Sequence, residues 1–170
     1  MINLTSKAAK RFRLKWSALK ERSGDFWKVD VVMLGRVPML LLVHEYTLFT
    51  LVRRKSQFRD PLQLADEIRL CCPWYRYDSE PTLGKNGNRR ITGSITEMKR
   101  VFWEGFSPNQ INAMEMRINQ EYFSYLSTRK GGYGIPFEAV ESYIKGQTPW
   151  LSPDLTDPKQ VDRRQAEGAF

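Results

Sequence analysis

Between Phe26 and Arg54 the chain reads FWKVDVVMLGRVPMLLLVHEYTLFTLVRR, an apolar and β-branched run broken at two turn-like points. Trp27, Val29, Val31 and Met33 alternate with Phe26, Lys28, Asp30 and Val32, the period of two expected of a strand with one face in a core. Gly35-Arg36-Val37-Pro38 makes a first turn, and Met39 to Val43 is apolar throughout, like a central strand covered on both faces. His44-Glu45 makes a second, tighter turn, Tyr46 to Val52 a third strand, and Arg53-Arg54-Lys55 ends it in solvent. Ahead of this antiparallel meander, Met1 to Thr5 suits an edge strand. Thr5 or Ser6 then caps a helix over Lys7–Arg13, which Lys15–Arg22 extends.

Beyond the meander the period changes. Asp60-Pro61 opens a helix with Leu62, Ala65, Ile68 and Cys72 on its apolar side, stopped by Pro73. Trp74-Tyr75-Arg76-Tyr77 is an aromatic connector, and Glu80–Arg90 reads as a Gly/Asn-rich loop. Ser94 and Glu97 form a capping box for a helix carrying Ile95, Met98, Val101 and Phe102. Ser107-Pro108 starts the next, with Ile111, Met114, Ile118, Tyr122 and Tyr125 as its buried stripe. Gly131–Gly134 breaks the chain. Pro136–Lys145 is a last short helix with Phe137, Val140 and Ile144 inward and Gly146 at its C′ position.

Strands first and helices second make an α+β protein: an antiparallel β-meander over about residues 26–52, plus the N-terminal edge strand, packed against four or five helices. Residues 1–146 form one domain. Residues 147–170, punctuated by Pro149, Pro153 and Pro158, read as an extended or disordered tail.

Charge adds one asymmetry. Of the net +8, most comes from residues 1–22, where seven cations face Glu21 alone. A positive field of this kind draws polyanions and acidic protein surfaces. Lys7, Lys10, Arg11, Arg13 and Lys15 interleave with Phe12 and Trp16, the mixture of cations and rings used on single strands. A second anion-binding candidate groups Lys85, Arg89, Arg90, Thr92 and Ser94 at the N-terminus expected for the capped helix.

Catalytic patterns are sparse. A nucleophile–His–acid arrangement would have to use His44, the one histidine, which reads as a turn residue. Adjacent Cys71 and Cys72 match no zinc spacing, so neither a metal nor a cofactor is expected. No stretch reaches the roughly 18 to 20 apolar residues of a membrane-spanning helix, and no signal peptide opens the chain, so a cytoplasmic protein is expected.

The segments INLTSKAAK, LLLVHEYTLFTLV, RDPLQLADEI, NRRITGSITEMKRVF and YFSYLSTRKGGYGIPFEAVESY, taken in order, resemble a bacterial domain family of unknown function and about this length. The resemblance covers residues 1–145 and implies an α+β fold, with no activity or catalytic residue to carry over. His44 stands where similar proteins have Asn or Asp. The expected function is therefore that of a non-enzymatic binding protein whose basic N-terminal face meets nucleic acid or an acidic protein. The alternatives are an interaction component of a toxin–antitoxin, phage or defence system, and a metal-independent nuclease or transferase using Arg89, Arg90 and Ser94.

Overall fold

The residues that build the sheet belong to the first half of the chain. A computed structural model describes residues 1–21, 25–75, 80–85, 89–101, 105–121, 123–127 and 133–146. Trp27–Leu34 (β2), Val37–His44 (β3) and Thr50–Arg54 (β4) form the expected antiparallel meander. Ile2–Leu4 (β1) runs parallel to β2, and Leu83–Lys85 (β5) runs parallel to β1, giving the order β4-β3-β2-β1-β5. Among the described residues five α-helices accompany the strands: Ser6–Arg11 (α1), Gln63–Cys71 (α2), Arg89–Val101 (α3), Ile111–Asn119 (α4) and Pro136–Ile144 (α5). A separate ribbon pairs Phe123–Ser127 (β6) with Tyr133–Gly134 (β7). The fold is α+β.

Helices cover both faces of this sheet, so β2 and β3 are apolar on both sides. Val29 and Val31 of β2, with Leu40 and Leu42 of β3, pack against Ala8, Ala9 and Phe12 of the α1 segment and Leu64, Ala65 and Ile68 of α2. Val32 and Leu34, with Met39 and Leu41, face Ile91, Ile95 and Met98 of α3 and Met114 and Ile118 of α4. The predicted two-sided burial of Met39–Val43 is found, each of these residues being fully enclosed. It extends to β2 as well, where alternation suggested one buried face. Pro38 sits in β3 beyond the last β3–β4 pair, Met39 with Arg54, so its missing amide costs no ladder bond there.

Several boundaries depart from the sequence reading. The N-terminal strand is interior, not an edge, because β5 forms within the stretch read as a loop. Ile2 N–H donates to Thr82 C=O (2.9 Å), and Lys85 N–H to Lys20 C=O (2.9 Å). The first helix stops at Arg11 instead of reaching Arg13 or Arg22. Arg13 takes a left-handed φ of 59°, which ends the helical path before a single 3-10 turn at Trp16–Ala18. The first hairpin turn is Gly35-Arg36 alone, with Val37 already in β3 and Gly35 at φ 60°. His44 is the last residue of β3, not a turn residue, and β4 begins only at Thr50.

The helices are corrected too. α3 begins at Arg89, so Ser94 and Glu97 lie inside it and form no capping box. Leu62 is exposed, and Leu64 takes its place on the buried side of α2. α4 ends at Asn119. Tyr125 belongs to β6, and Tyr122 lies outside the described residues. In α5, Val140 is buried as expected, but Phe137 and Ile144 are exposed; Gly146 has the left-handed φ of a C′ residue. Val101 ends α3 within the described residues, and Phe102, Arg76, Tyr77, Gly131 and Gly132 lie outside them, as do residues 147–170.

A basic groove as candidate functional site

The site begins with one hydroxyl. Thr5 caps α1 by accepting the Ala8 N–H at 3.2 Å, and its own O–H donates to Asp30 Oδ1 at 2.7 Å. That pair ties the start of α1 to β2. Ala8 and Ala9 then turn into the core, so Lys7, Lys10 and Arg11 must face outward. Lys10 and Arg11 occupy the last turn, where cations complement the helix dipole.

From the other face of the sheet α3 supplies Lys99, whose Nζ donates to Asp30 Oδ2 at 2.6 Å. Burial alone would raise the Asp30 carboxyl, but the hydrogen bonds from Lys99 and Thr5 hold it below the ordinary carboxylate range. Asp30 therefore stays ionised and clamps α1 and α3 to the same strand. Nearby Lys28 is almost wholly buried and donates to Thr92 Oγ1 of α3 at 2.6 Å; its ammonium is pushed down by desolvation, against the pull of Asp30 and Glu45.

Between α1 and Lys99 runs a groove of about 670 Å3, lined by Lys7, Lys10, Arg11, Lys99 and by Val31, Val32 and Met33 of β2. Its floor is aliphatic and its walls are cationic. Arg11 Nη2 lies 3.6 Å from Met33 Sδ, so its guanidinium reaches over the floor.

The structure thus brings together three of the residues singled out from sequence, Lys7, Lys10 and Arg11, and adds Lys99, a partly buried residue of α3 that the sequence pattern did not single out. Of the others, those whose side chains are described do not join them. Arg13 is close enough to Lys55 to help depress its ammonium, second to burial, and Lys55 Nζ sits 4.2 Å over the ring of Phe12. Lys15 precedes the 3-10 turn and is exposed. Lys85 lies on β5, its Nζ 4.7 Å over the Trp16 ring. Phe12 is a core residue, and Trp16 is half-exposed with Nε1 donating to Leu4 C=O. Arg89 and Arg90 open α3, but their side chains lie outside what is described. Ser94 is buried one turn further in, so its amide is not among the free donors of a helix start. Ser94 therefore does not open α3 as expected; the helix start lies at Arg89.

A second cluster surrounds His44. Its Nε2 lies 2.7 Å from Asp25 Oδ1 and its Nδ1 2.9 Å from Thr47 Oγ1. The rings of Trp27, Trp74, Tyr75 and Tyr143 stand 5.2–5.3 Å from the imidazole. Tyr143 donates a short hydrogen bond to Asp25 Oδ2. Acid, imidazole and hydroxyl are in the order of a hydrolytic triad, yet His44 and Thr47 are fully enclosed. Thr47 Oγ1 also accepts the Phe49 N–H at 3.1 Å, leaving its proton for His44 Nδ1. Burial drives the imidazole below its usual range, against the influence of Asp25, so a neutral ring donating from Nε2 to the Asp25 carboxylate satisfies every partner. This is a satisfied core constellation that joins the β2–β3 end to α5.

Among the described residues no group of three His, Cys, Asp or Glu side chains is placed to hold a metal ion, and no helix is long and apolar enough to cross a membrane. Cys72 is buried, which pushes its thiol up to about 12. Cys71 is half-buried and receives Arg53 Nη2 at 3.0 Å; burial raises its thiol also. No protein-family model, curated protein sequence or solved structure matches the chain.

Proposed function

We propose that the protein is a non-enzymatic binding protein that holds an anionic macromolecule against its basic N-terminal face. The observation that carries this reading is the convergence of Lys7, Lys10, Arg11 and Lys99 on one groove. Only Lys99 of these spends its charge on a described carboxylate, that of Asp30. An acidic protein fits the groove better than nucleic acid. Single-strand recognition relies on exposed rings for base stacking, and among the described residues the groove is lined by aliphatic side chains and cations.

The test is titration of labelled polyglutamate and of a labelled single-stranded oligonucleotide, in low and high salt, against the natural chain and K7E/K10E/R11E. Binding of polyglutamate that weakens with salt and falls at least about tenfold in the charge-reversed chain is the expected result. Equal affinity for both chains, or affinity indifferent to salt, overturns the reading.

A further inference from the structure

The floor of the groove is the edge of a strand. Val31, Val32 and Met33 are consecutive, so their side chains alternate between the two faces of β2, yet all three line the same groove. Only a channel running along the strand's edge meets all three.

The backbone phase agrees. Trp27 N–H donates to Met1 C=O at 3.0 Å, and Thr5 N–H to Val29 C=O at 3.0 Å. Odd-numbered residues of β2 therefore turn their peptide groups toward β1, and Val31 and Met33 follow by alternation. But β1 ends at Leu4, opposite Val29, and the chain leaves it for α1. Asp30 Oδ1 accepts the Val31 N–H at 2.8 Å. Among the described residues no hydrogen bond reaches the Val31 carbonyl, or the N–H and carbonyl of Met33. The opposite edge of the sheet is treated differently. There the outward amides of Thr50 and Val52 are taken by Asn119 and Glu115 of α4.

We propose that this groove captures an extended acidic segment of a partner protein, which adds to β2 as a strand in the lane that β1 vacates after Leu4. The proposal rests on the anionic-partner reading above and specifies its chemistry. A peptide N–H donates to the Val31 carbonyl, a peptide carbonyl accepts from Met33 N–H, and the partner's carboxylates meet Lys7, Lys10 and Arg11. Backbone bonds supply a binding mode that any extended chain can use, and the cations select acidic ones. Met33, exposed by 41%, offers the apolar contact for an alternate side chain of the guest.

The probe is a short peptide of alternating valine and glutamate, with a twin N-methylated on alternate residues along one edge and a second twin N-methylated along the other. Amide exchange at Met33 is followed in the unaltered protein. Strand addition predicts that the parent peptide slows Met33 exchange about tenfold or more, and that one of the two methylated twins binds at least about tenfold more weakly than the other. Equal binding of all three peptides with Met33 exchange unchanged overturns strand addition, while salt-sensitive binding of those same peptides leaves the anionic-partner reading standing. Tighter binding of a single-stranded oligonucleotide than of the parent peptide also overturns it. Failure of both polyanions to bind removes the two readings together.

Discussion

Asn119 grips Thr50 with both ends of its amide: Oδ1 accepts the Thr50 N–H at 2.8 Å, and Nδ2 donates to the Thr50 carbonyl at 2.8 Å. One turn earlier on α4, Glu115 Oε1 accepts the Val52 N–H at 2.5 Å. The spacing is what makes this work. Four helical residues advance about 6 Å and two strand residues about 6.6 Å, so side chains at i and i+4 of a helix running antiparallel to a strand meet its residues j+2 and j. The helix acts as a substitute strand and closes an edge that would otherwise invite pairing.

Asn119→Ala removes both partners of a fully buried peptide group. The expected loss is about 2–3 kcal/mol, since each orphaned buried group costs on the order of 1–3 kcal/mol. Exposed Met116 on the same helix is the control, and Met116→Ala is expected to change stability by less than about 0.5 kcal/mol. Urea unfolding of the two variants decides it; equal midpoints would mean the edge is held by something else.

His44 predicts a pH dependence with a definite sign. Its folded-state pKa is depressed below 6.5, chiefly by burial, so the unfolded chain takes up a proton there more readily than the folded one. Stability from this residue is present above about pH 6.5 and is lost as the pH falls below that value. Asp25 and Asp30, also depressed, add a loss only below about 3.8. Glu115 is raised from 4.5, mainly by burial, and works in the opposite direction. Because there is a single histidine, comparison with His44→Gln isolates its contribution. Unfolding midpoints of the natural chain are expected to fall between about pH 6.5 and 5.5, and those of the variant to stay level. Parallel profiles would sink the assignment.

The parts of this fold that rest on local pattern were legible, and those that rest on distant partners were not. The meander follows from β-branched runs, and α2 from Asp60, whose Oδ1 accepts the Leu62 N–H at 2.8 Å ahead of the helix. β5 escaped notice because Leu83–Lys85 has no strand pattern; it exists through bonds to β1 and Lys20. His44 read as a turn because its neighbour Glu45 is polar, while the rings that enclose it come from residues 27, 74, 75 and 143. The groove was half legible: α1 announced its cations, but Lys99 and the unfilled lane beside β2 emerge only when α1, α3 and the end of β1 meet.

Lys99 and Asp30 should behave as a coupled pair. Both are largely shielded from solvent, and the ammonium is the group that keeps the Asp30 carboxylate ionised against its burial. Lys99→Met leaves that carboxylate held by Thr5 and the Val31 amide alone, with an expected cost of about 1.5–3 kcal/mol. In the D30N/K99M double variant the losses should be less than additive, by about 1 kcal/mol or more. A thermodynamic cycle from denaturant unfolding tests this. Additive losses would show that the clamp between α3 and β2 lies elsewhere.

Gly93 offers a prediction in the opposite direction. Its neighbour Ser94 reads as the N-cap of this helix, which places the start of α3 after Gly93. In the structure it sits within Arg89–Val101 in ordinary helical geometry, exposed, and a Cβ built there meets no heavy atom within 4 Å. The glycine is therefore an unneeded source of unfolded-chain entropy at this position. Gly93→Ala is expected to stabilise the protein by about 0.5–1 kcal/mol. Gly134→Ala should do the reverse, because its Cβ would come within 2.7 Å of the Leu126 carbonyl oxygen and 2.8 Å of its Cβ, on the paired strand β6. Thermal unfolding of the two variants beside the natural chain gives the comparison. A rise for Gly93→Ala places its backbone in the helix, whereas a fall would return the start of α3 to Ser94, with the helix-end geometry that the anion-binding candidate there requires.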